Sequence, residues 1–189
     1  METTPQTQKV DFYVRHARTE DLGTIFKIYE GARAFMKKNG NPTQWGNNRP
    51  LESKVRENVQ NGIQLVCCYK NEKDGEQIAA TFHFSHGGEE SYNHLKGEWP
   101  EGSDDYWCIH SFASAMTVRG TATFCFNWCE KQPGVKCIKI DTHRNNIPMQ
   151  NCIKKFGYKY CGLCYYNETV QTDTGDVQDF ERIAFCKVL

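Results

Sequence analysis

The residues best placed to do chemistry lie in 109–129, IHSFASAMTVRGTATFCFNWC. A β-type run ends there in a short loop, and Arg119-Gly120-Thr121-Ala122 then opens an amphipathic helix. A strand, a turn of small residues and a helix start together aim several free main-chain N–H groups at one spot. The positive end of the helix dipole points there too, and such a spot holds phosphate. Small side chains are wanted because a branched one would keep the main chain away from a pyrophosphate. An ordinary strand-to-helix turn looks the same locally, so the segment gains meaning from a second one, DTHRNNIPMQNCIKKFGYKY at 141–160. This one carries Asp141, His143 and Asn146 ahead of a helix whose first turn suits Pro148 and which closes at Gly157.

The elements that must hold these segments follow from periodicity. Residues 12–15 read as a first strand. Thr19 is placed to cap a helix in which Leu22, Ile25, Phe26, Tyr29, Ala32, Arg33 and Met36 recur at helical spacing, ending at Lys37-Lys38-Asn39-Gly40. A polar loop, NPTQWGNNRP, carries Trp45 into a second helix at 51–60. Strands at 63–69 and 77–85 flank a turn at 71–75, and Ile78, Ala80, Phe82 and Phe84 share one face of the second. The connection 87–105 is long, polar and dotted with aromatics, a length that is usually functional or mobile. A central strand at 106–114 leads into the phosphate loop, a helix runs to 132, and Pro133-Gly134 turns into a strand at 135–140. After the 148–157 helix, strands at 158–167 and 179–188 flank a Thr-Asp-Thr-Gly-Asp turn.

The order βααβββαβαββ predicts one mixed α/β (α+β) domain over 11–189, with about four helices on a partly antiparallel sheet. The polar residues 1–10 are expected to be a disordered tail.

Together the two chemical segments resemble the GNAT superfamily of acyl-CoA-dependent N-acetyltransferases. The first is similar to that family's pyrophosphate loop, (Arg/Gln)-x-x-Gly-x-(Gly/Ala), with Gly120 and Ala122 on the two small positions and Thr117 in place of the leading Arg/Gln. The second is similar to its Asn-x-x-Ala-x-x-Leu-Tyr-x-x-x-Gly-Phe helix. Asn146 matches the Asn, Met149 stands for Ala, Cys152 for Leu, Ile153 for the Tyr that often protonates the departing thiolate, and Gly157-Tyr158 for Gly-Phe. The likeness extends more loosely from about Phe12 to Val188.

The resemblance implies a mostly antiparallel sheet whose central strands, ending at Ser114 and Asp141, splay apart. It implies acetyl-CoA as cofactor, with its phosphates on Arg119, Gly120, Thr121 and Ala122 and its arm along Phe112, Ala113 and Ser114. It also implies transfer of the acetyl group to a primary amine by direct attack in a ternary complex. Asn146 suits either the cofactor arm or a helix N-cap. An acceptor ammonium must first lose a proton, which for a lysine-like amine costs about 4–5 kcal/mol at neutral pH. His110, on the strand bordering the thioester, is therefore the base candidate, with Asp141 and His143 as second choices. Trp45, Trp99 and Tyr106 lie in or beside the segments that shape the acceptor pocket in this family. A different class of protein, an acyl-CoA-binding regulatory module without catalysis, fits the departures at Thr117 and Ile153.

Composition narrows the field. The 23 basic and 23 acidic side chains cancel, which speaks against a nucleic-acid surface. No apolar run approaches a membrane span and the first residues lack a secretory h-region, so a cytoplasmic protein, monomer or homodimer, acting on a small-molecule or peptide amine is expected. Ten cysteines without a signal peptide fit reduced thiols. The one CxxC, Cys161 to Cys164, sits in a strand-like run, where residues three apart point to opposite faces, so no metal site is expected.

Overall fold

The computed structural model describes residues 10–189, and the expectation of a disordered tail at 1–10 lies, except for Val10, outside them. The chain runs β1 (Phe12–His16), α1 (Leu22–Lys38), α2 (Glu52–Gln60), β2 (Gln64–Asn71), β3 (Gly75–His86), β4 (Lys96–Gly97), β5 (Trp107–Ser114) and α3 (Thr121–Glu130). It continues with β6 (Cys137–Thr142), α4 (Ile147–Lys155), β7 (Lys159–Tyr165), β8 (Thr169–Thr172), β9 (Gly175–Gln178) and β10 (Glu181–Val188). Eight strands form one sheet in the order β1-β2-β3-β5-β6-β10-β7-β4, and β8 pairs with β9 in a separate ribbon. Every neighbouring pair is antiparallel except β5 with β6.

The strand period sorts the core into two layers. Along β2, Leu65 and Cys67 face one side while Val66 and Cys68 face the other. On the first side, Cys125, Phe126 and Cys129 of α3 and Ile153 of α4 pack with Phe82, Phe84, Ile138, Ile140 and Phe185 of the sheet. On the second, Ile25, Ile28 and Tyr29 of α1 and Val55 and Val59 of α2 cover Val66, Cys68 and Ala113. Helices on both faces leave β2 and the middle of β3 buried on both sides, which is why those runs are apolar rather than alternating.

Three expectations change. Thr19 does not cap α1; it opens a 3-10 turn, Thr19–Asp21. The turn is fixed by the Asp21 carboxylate, which accepts from Arg18 N (2.7 Å) and from the Arg15 guanidinium (2.7 and 3.0 Å). The connection after β3 is structured, with a 3-10 turn at Glu90–His94 and the edge strand β4. The Thr-Asp-Thr-Gly-Asp turn does not join the last two sheet strands but is the tip of the β8–β9 ribbon. Its polar strands hid it, since Val170 is the ribbon's one buried side chain.

That ribbon clasps the loop between α1 and α2. Gln171 O accepts from Asn47 N (2.5 Å), Gln171 N donates to Asn48 Oδ1 (3.1 Å), and Asp173 takes Asn47 Nδ2 (3.0 Å) and the Lys37 ammonium. The approach is close enough that a Cβ on Gly46, whose φ is 51°, would lie 2.2 Å from Gln171 O. Gly46→Ala is therefore expected to cost roughly 2 kcal/mol or more, lowering Tm by about 4–8 °C. Thermal denaturation checks this, and an unchanged Tm would mean that ribbon and loop do not meet as described.

Candidate functional site

The parallel pairing of β5 with β6 spans only Trp107↔Ile138 and Cys108↔Lys139. Beyond it the two strands part, as the sequence resemblance implied. Between His110 and Ala113, β5 carries one residue more than β3 opposite it, where His83 pairs with His110 and Thr81 with Ala113. This β-bulge holds Ser111 at φ 51°, a conformation that a non-glycine residue adopts only under constraint. A cavity of about 600 Å³ opens along the parted strands, walled by 109–114 of β5, by Ile140, Asp141 and Thr142 of β6, and by parts of α1, α2, α3 and α4. The volume is that of a small-molecule site.

At one end stands the start of α3. Gly120 adopts the left-handed conformation at the N-cap (φ 90°), and Phe124 N donates to Gly120 O at 2.8 Å as the first helical bond. The amides of Thr121, Ala122 and Thr123 are thereby left without a helical acceptor. Ala122 lines the cavity; Arg119 and Gly120 are exposed beside it, and Thr121 is buried with its hydroxyl turned back to Val118 O (2.9 Å). Phe112, Ala113 and Ser114 all line the cavity. The Phe112 ring packs on Phe82 and Phe126, while Ser114 Oγ bonds Ala79 O (3.4 Å) and accepts from Met116 N (3.0 Å).

Of the two roles open to Asn146, its contacts fill the cap. Oδ1 accepts from Met149 N (3.3 Å), and Nδ2 donates to Gln44 Oε1 (2.9 Å). It still borders the cavity, but its amide is engaged on both sides.

Deeper in, His110 is half-buried with Nδ1 3.8 Å from Glu89 Oε2, and its ring stacks on His83 with centroids 5.3 Å apart. Glu89 is held in place by Ser91, whose N and Oγ both donate to Oε1 (3.2 and 2.8 Å). Burial first, and the nearby His110 charge second, push the His83 imidazole down to about 4. Asp141 borders the cavity, but its Oδ2 already accepts from two phenols, Tyr92 (2.8 Å) and Tyr166 (2.7 Å). His143 lies outside the lining. Its Nε2 meets Asp179 (3.2 Å) and its Nδ1 accepts from Asn145 N (3.1 Å), which makes it a clamp on the turn before α4.

Of the three aromatic residues expected at the acceptor pocket, only Trp45 is there, edge-on to Tyr29 at 5.7 Å. Trp99 and Tyr106 are not brought to the cavity. They box the Lys139 ammonium, 4.0 and 3.9 Å from the two ring centres, because the folded connection before β5 lies back across the β6 side chains. Ile153 is fully buried in the core, and neither Tyr158 nor Tyr160 reaches the cavity: Tyr158 is buried, Tyr160 exposed. Glu89, which the sequence offers only as one of four loop carboxylates able to attract a cation, lines the cavity, and His83, Gln44 and Tyr166 are among the polar lining residues that sequence reasoning did not place. His83 alone had a usable signal, a histidine on the polar face of an alternating strand.

The described residues include no group of three or more His, Cys, Asp or Glu side chains able to hold a metal, and no helix long and apolar enough to cross a membrane. All ten cysteines are free thiols.

No family model and no curated protein matches the chain. Solved structures do. A GNAT-family acetyltransferase from Streptococcus agalactiae 2603 superimposes with a TM-score of 0.76 at 26% identity, covering 94% of this chain and 95% of that one. A GNAT-family acetyltransferase from Listeria monocytogenes 4b F2365 gives 0.61 at 16% identity, covering 94% and 95%. A ribosomal-protein-alanine N-acetyltransferase from Brucella melitensis gives 0.56 at 16% identity, covering 94% and 99%.

Because His83 stays neutral in the fold, its effect on stability has a definite sign. As pH falls below its unfolded value near 6.5, the unfolded chain gains a proton that the folded one refuses, so stability is lost between about 6.5 and 4. At pH 4.5 the loss from this group is about 2–3 kcal/mol. His83→Gln is expected to flatten the fall in Tm between pH 7 and pH 4.5, and an unaltered fall would show that His83 is not held neutral.

Proposed function

The chain belongs to the GNAT superfamily of acetyltransferases, and from that membership we propose that it is an N-acetyltransferase carrying an acetyl group from acetyl-CoA to a primary amine. The observation that carries the reading is the strand opening between β5 and β6, with the unpartnered amides of α3 at its outer end and a bulge at Ser111 in its wall. Acetyl-CoA, when bound, supplies the activated acyl group. The residues present fit it: three free amides, a small side chain at Ala122 and an open Gly120 suit a diphosphate, and the extended main chain at Phe112–Ser114 suits an amide-bearing arm. The bulge frees a β5 main-chain N–H from the ladder to polarise a carbonyl.

His110 is assigned as the base that takes the ammonium proton, with Glu89 facing its Nδ1 so that the imidazolium formed has a counter-charge. Holding both reactants in one opening favours direct attack in a ternary complex. A non-catalytic acyl-CoA-binding module is the second reading. It is favoured by Ile153, whose place deep in the core puts no proton donor where the family's tyrosine usually stands. Thiol release in the presence of an amine separates the two. We further propose one domain over 11–189, working in the cytoplasm as a monomer or homodimer.

Gly120→Glu puts bulk and negative charge at the diphosphate cradle, and calorimetry is expected to show acetyl-CoA binding lost. Unchanged affinity would move the cradle elsewhere. His110→Ala is expected to lower kcat/KM about 100-fold at neutral pH, the gap closing as pH rises toward the amine's own pKa. A pH–rate profile parallel to the parent's removes His110 from the proton transfer.

A further inference from the structure

The charges around the cavity can be accounted for one by one, and the account limits what the acceptor carries. Among the cations, Arg182 Nη1 donates to Asp179 O (3.0 Å) and Glu181 O (2.9 Å) and Nη2 to Gln44 O (3.1 Å), so its guanidinium is spent on the fold. Arg49 is held by Thr169 O (3.4 Å) and lies 3.7 Å from Glu168, and its remaining Nε is buried out of reach of solvent. Lys54 pairs with Glu57 at 3.0 Å. Among the anions, Asp141 accepts from two phenols through one oxygen, Oδ2, and Glu168 faces Arg49. Glu89 turns an oxygen, Oε2, toward the His110 edge of the cavity.

The remaining wall is apolar. Nine large hydrophobic side chains are exposed among the described residues, and four of them, Phe35, Leu51, Ile63 and Met116, line this one cavity rather than scatter over the surface. Phe35, Leu51 and Ile63 come from α1, the start of α2 and the start of β2, on the sheet face that also presents His83 and His110, with Trp45 beside them. Exposed apolar side chains concentrated at a cavity mouth mark a surface that something apolar covers.

Resting on the acyl-transfer reading above, we infer that the acceptor is a small monoamine borne on an apolar, aromatic or branched body, with no second charge. Its ammonium meets Glu89 and His110, and its body lies against Phe35, Trp45, Leu51 and Ile63. A carboxylate on the acceptor would have to compete with Glu57 and Glu168 for Lys54 and Arg49, and a second ammonium with the phenols and Arg49 for Asp141 and Glu168. An apolar body needs no such exchange and buries its surface against the apolar wall.

The test uses the full chain with saturating acetyl-CoA and follows thiol release with 2-phenylethylamine, phenylalanine, 1,4-diaminobutane and an alanyl dipeptide. Phenylethylamine is expected to exceed each of the others in kcat/KM by about 10-fold or more. Phe35→Ala and Leu51→Ala are expected to raise KM for phenylethylamine with little change in kcat and none in acetyl-CoA affinity. Leu51→Asp is expected to shift preference toward the diamine. A parent enzyme that prefers the diamine, the amino acid or the dipeptide overturns the inference. So does binding of acetyl-CoA with no thiol released by any of the four, an outcome that supports the non-catalytic reading instead. Failure to bind acetyl-CoA at all overturns the reading beneath it.

Discussion

Parallel pairing that stops after two residue pairs is the constraint from which the rest of this molecule follows. A sheet whose central strands stayed paired to their ends would have no interior opening, because both faces are already covered by helices. Here β5 is committed to β3 on its other edge, and an extra residue at Ser111 bends it there, while β6 is committed to β10. Each strand keeps its outer ladder and gives up the inner one. The unpaired main chain that results would be expensive if sealed, so it must face either solvent or a ligand. A cleft in the middle of the sheet is the consequence, and the start of α3 is placed at its rim because α3 follows β5 directly.

The polar interior around the cleft is arranged by the same rule. Asp141 takes two phenols, Arg182 takes main-chain carbonyls and Asp179, Lys139 sits between two aromatic faces, and Gln44 ties Asn146 to Asn41. These groups are buried or half-buried and each has a partner, so they fix geometry rather than offer reactivity. Burial raises the Tyr92 and Tyr166 hydroxyls well above the ordinary phenol value, with the Asp141 charge adding to it, so both remain donors to that carboxylate. Left without such partners along the cleft are the His110 imidazole with Glu89 opposite, His83 Nε2, Arg49 Nε and the amides of α3.

Much of this was legible from residue order. The alternation of β3 and the basic ends and closing glycines of the helices placed the sheet strands and four helices, while the splayed pair came from the family resemblance that Gly120, Ala122 and Asn146 carry. Local signals of this kind carry information because each depends on neighbours in sequence. Asn146 shows where they stop: the same residue type at the same offset serves a cap or a ligand, and nothing local announces that its Nδ2 meets the distant Gln44. Trp99 and Tyr106 were placed by their nearness in sequence to the acceptor segments, whereas their position is set by Lys139 on a strand more than thirty residues later. The β8–β9 ribbon was missed because its polar strands hold a single buried side chain, too little for a periodic signal. Glu89 was visible as an acidic residue in a loop; that it faces His110 follows from a folded connection that no local pattern announces.

The clasp between that ribbon and the loop carrying Trp45 has a kinetic consequence. Asn48 meets Gln171 across 123 residues of sequence and Lys37 meets Asp173 across 136. During synthesis the early half of the chain, with α1 and α2 already able to form, must wait for its last strands before this wall acquires its shape. A nascent chain halted after β7 would lack the ribbon and also β10, the strand that joins β6 to β7, so neither wall of the cleft is finished until the last residues have been made.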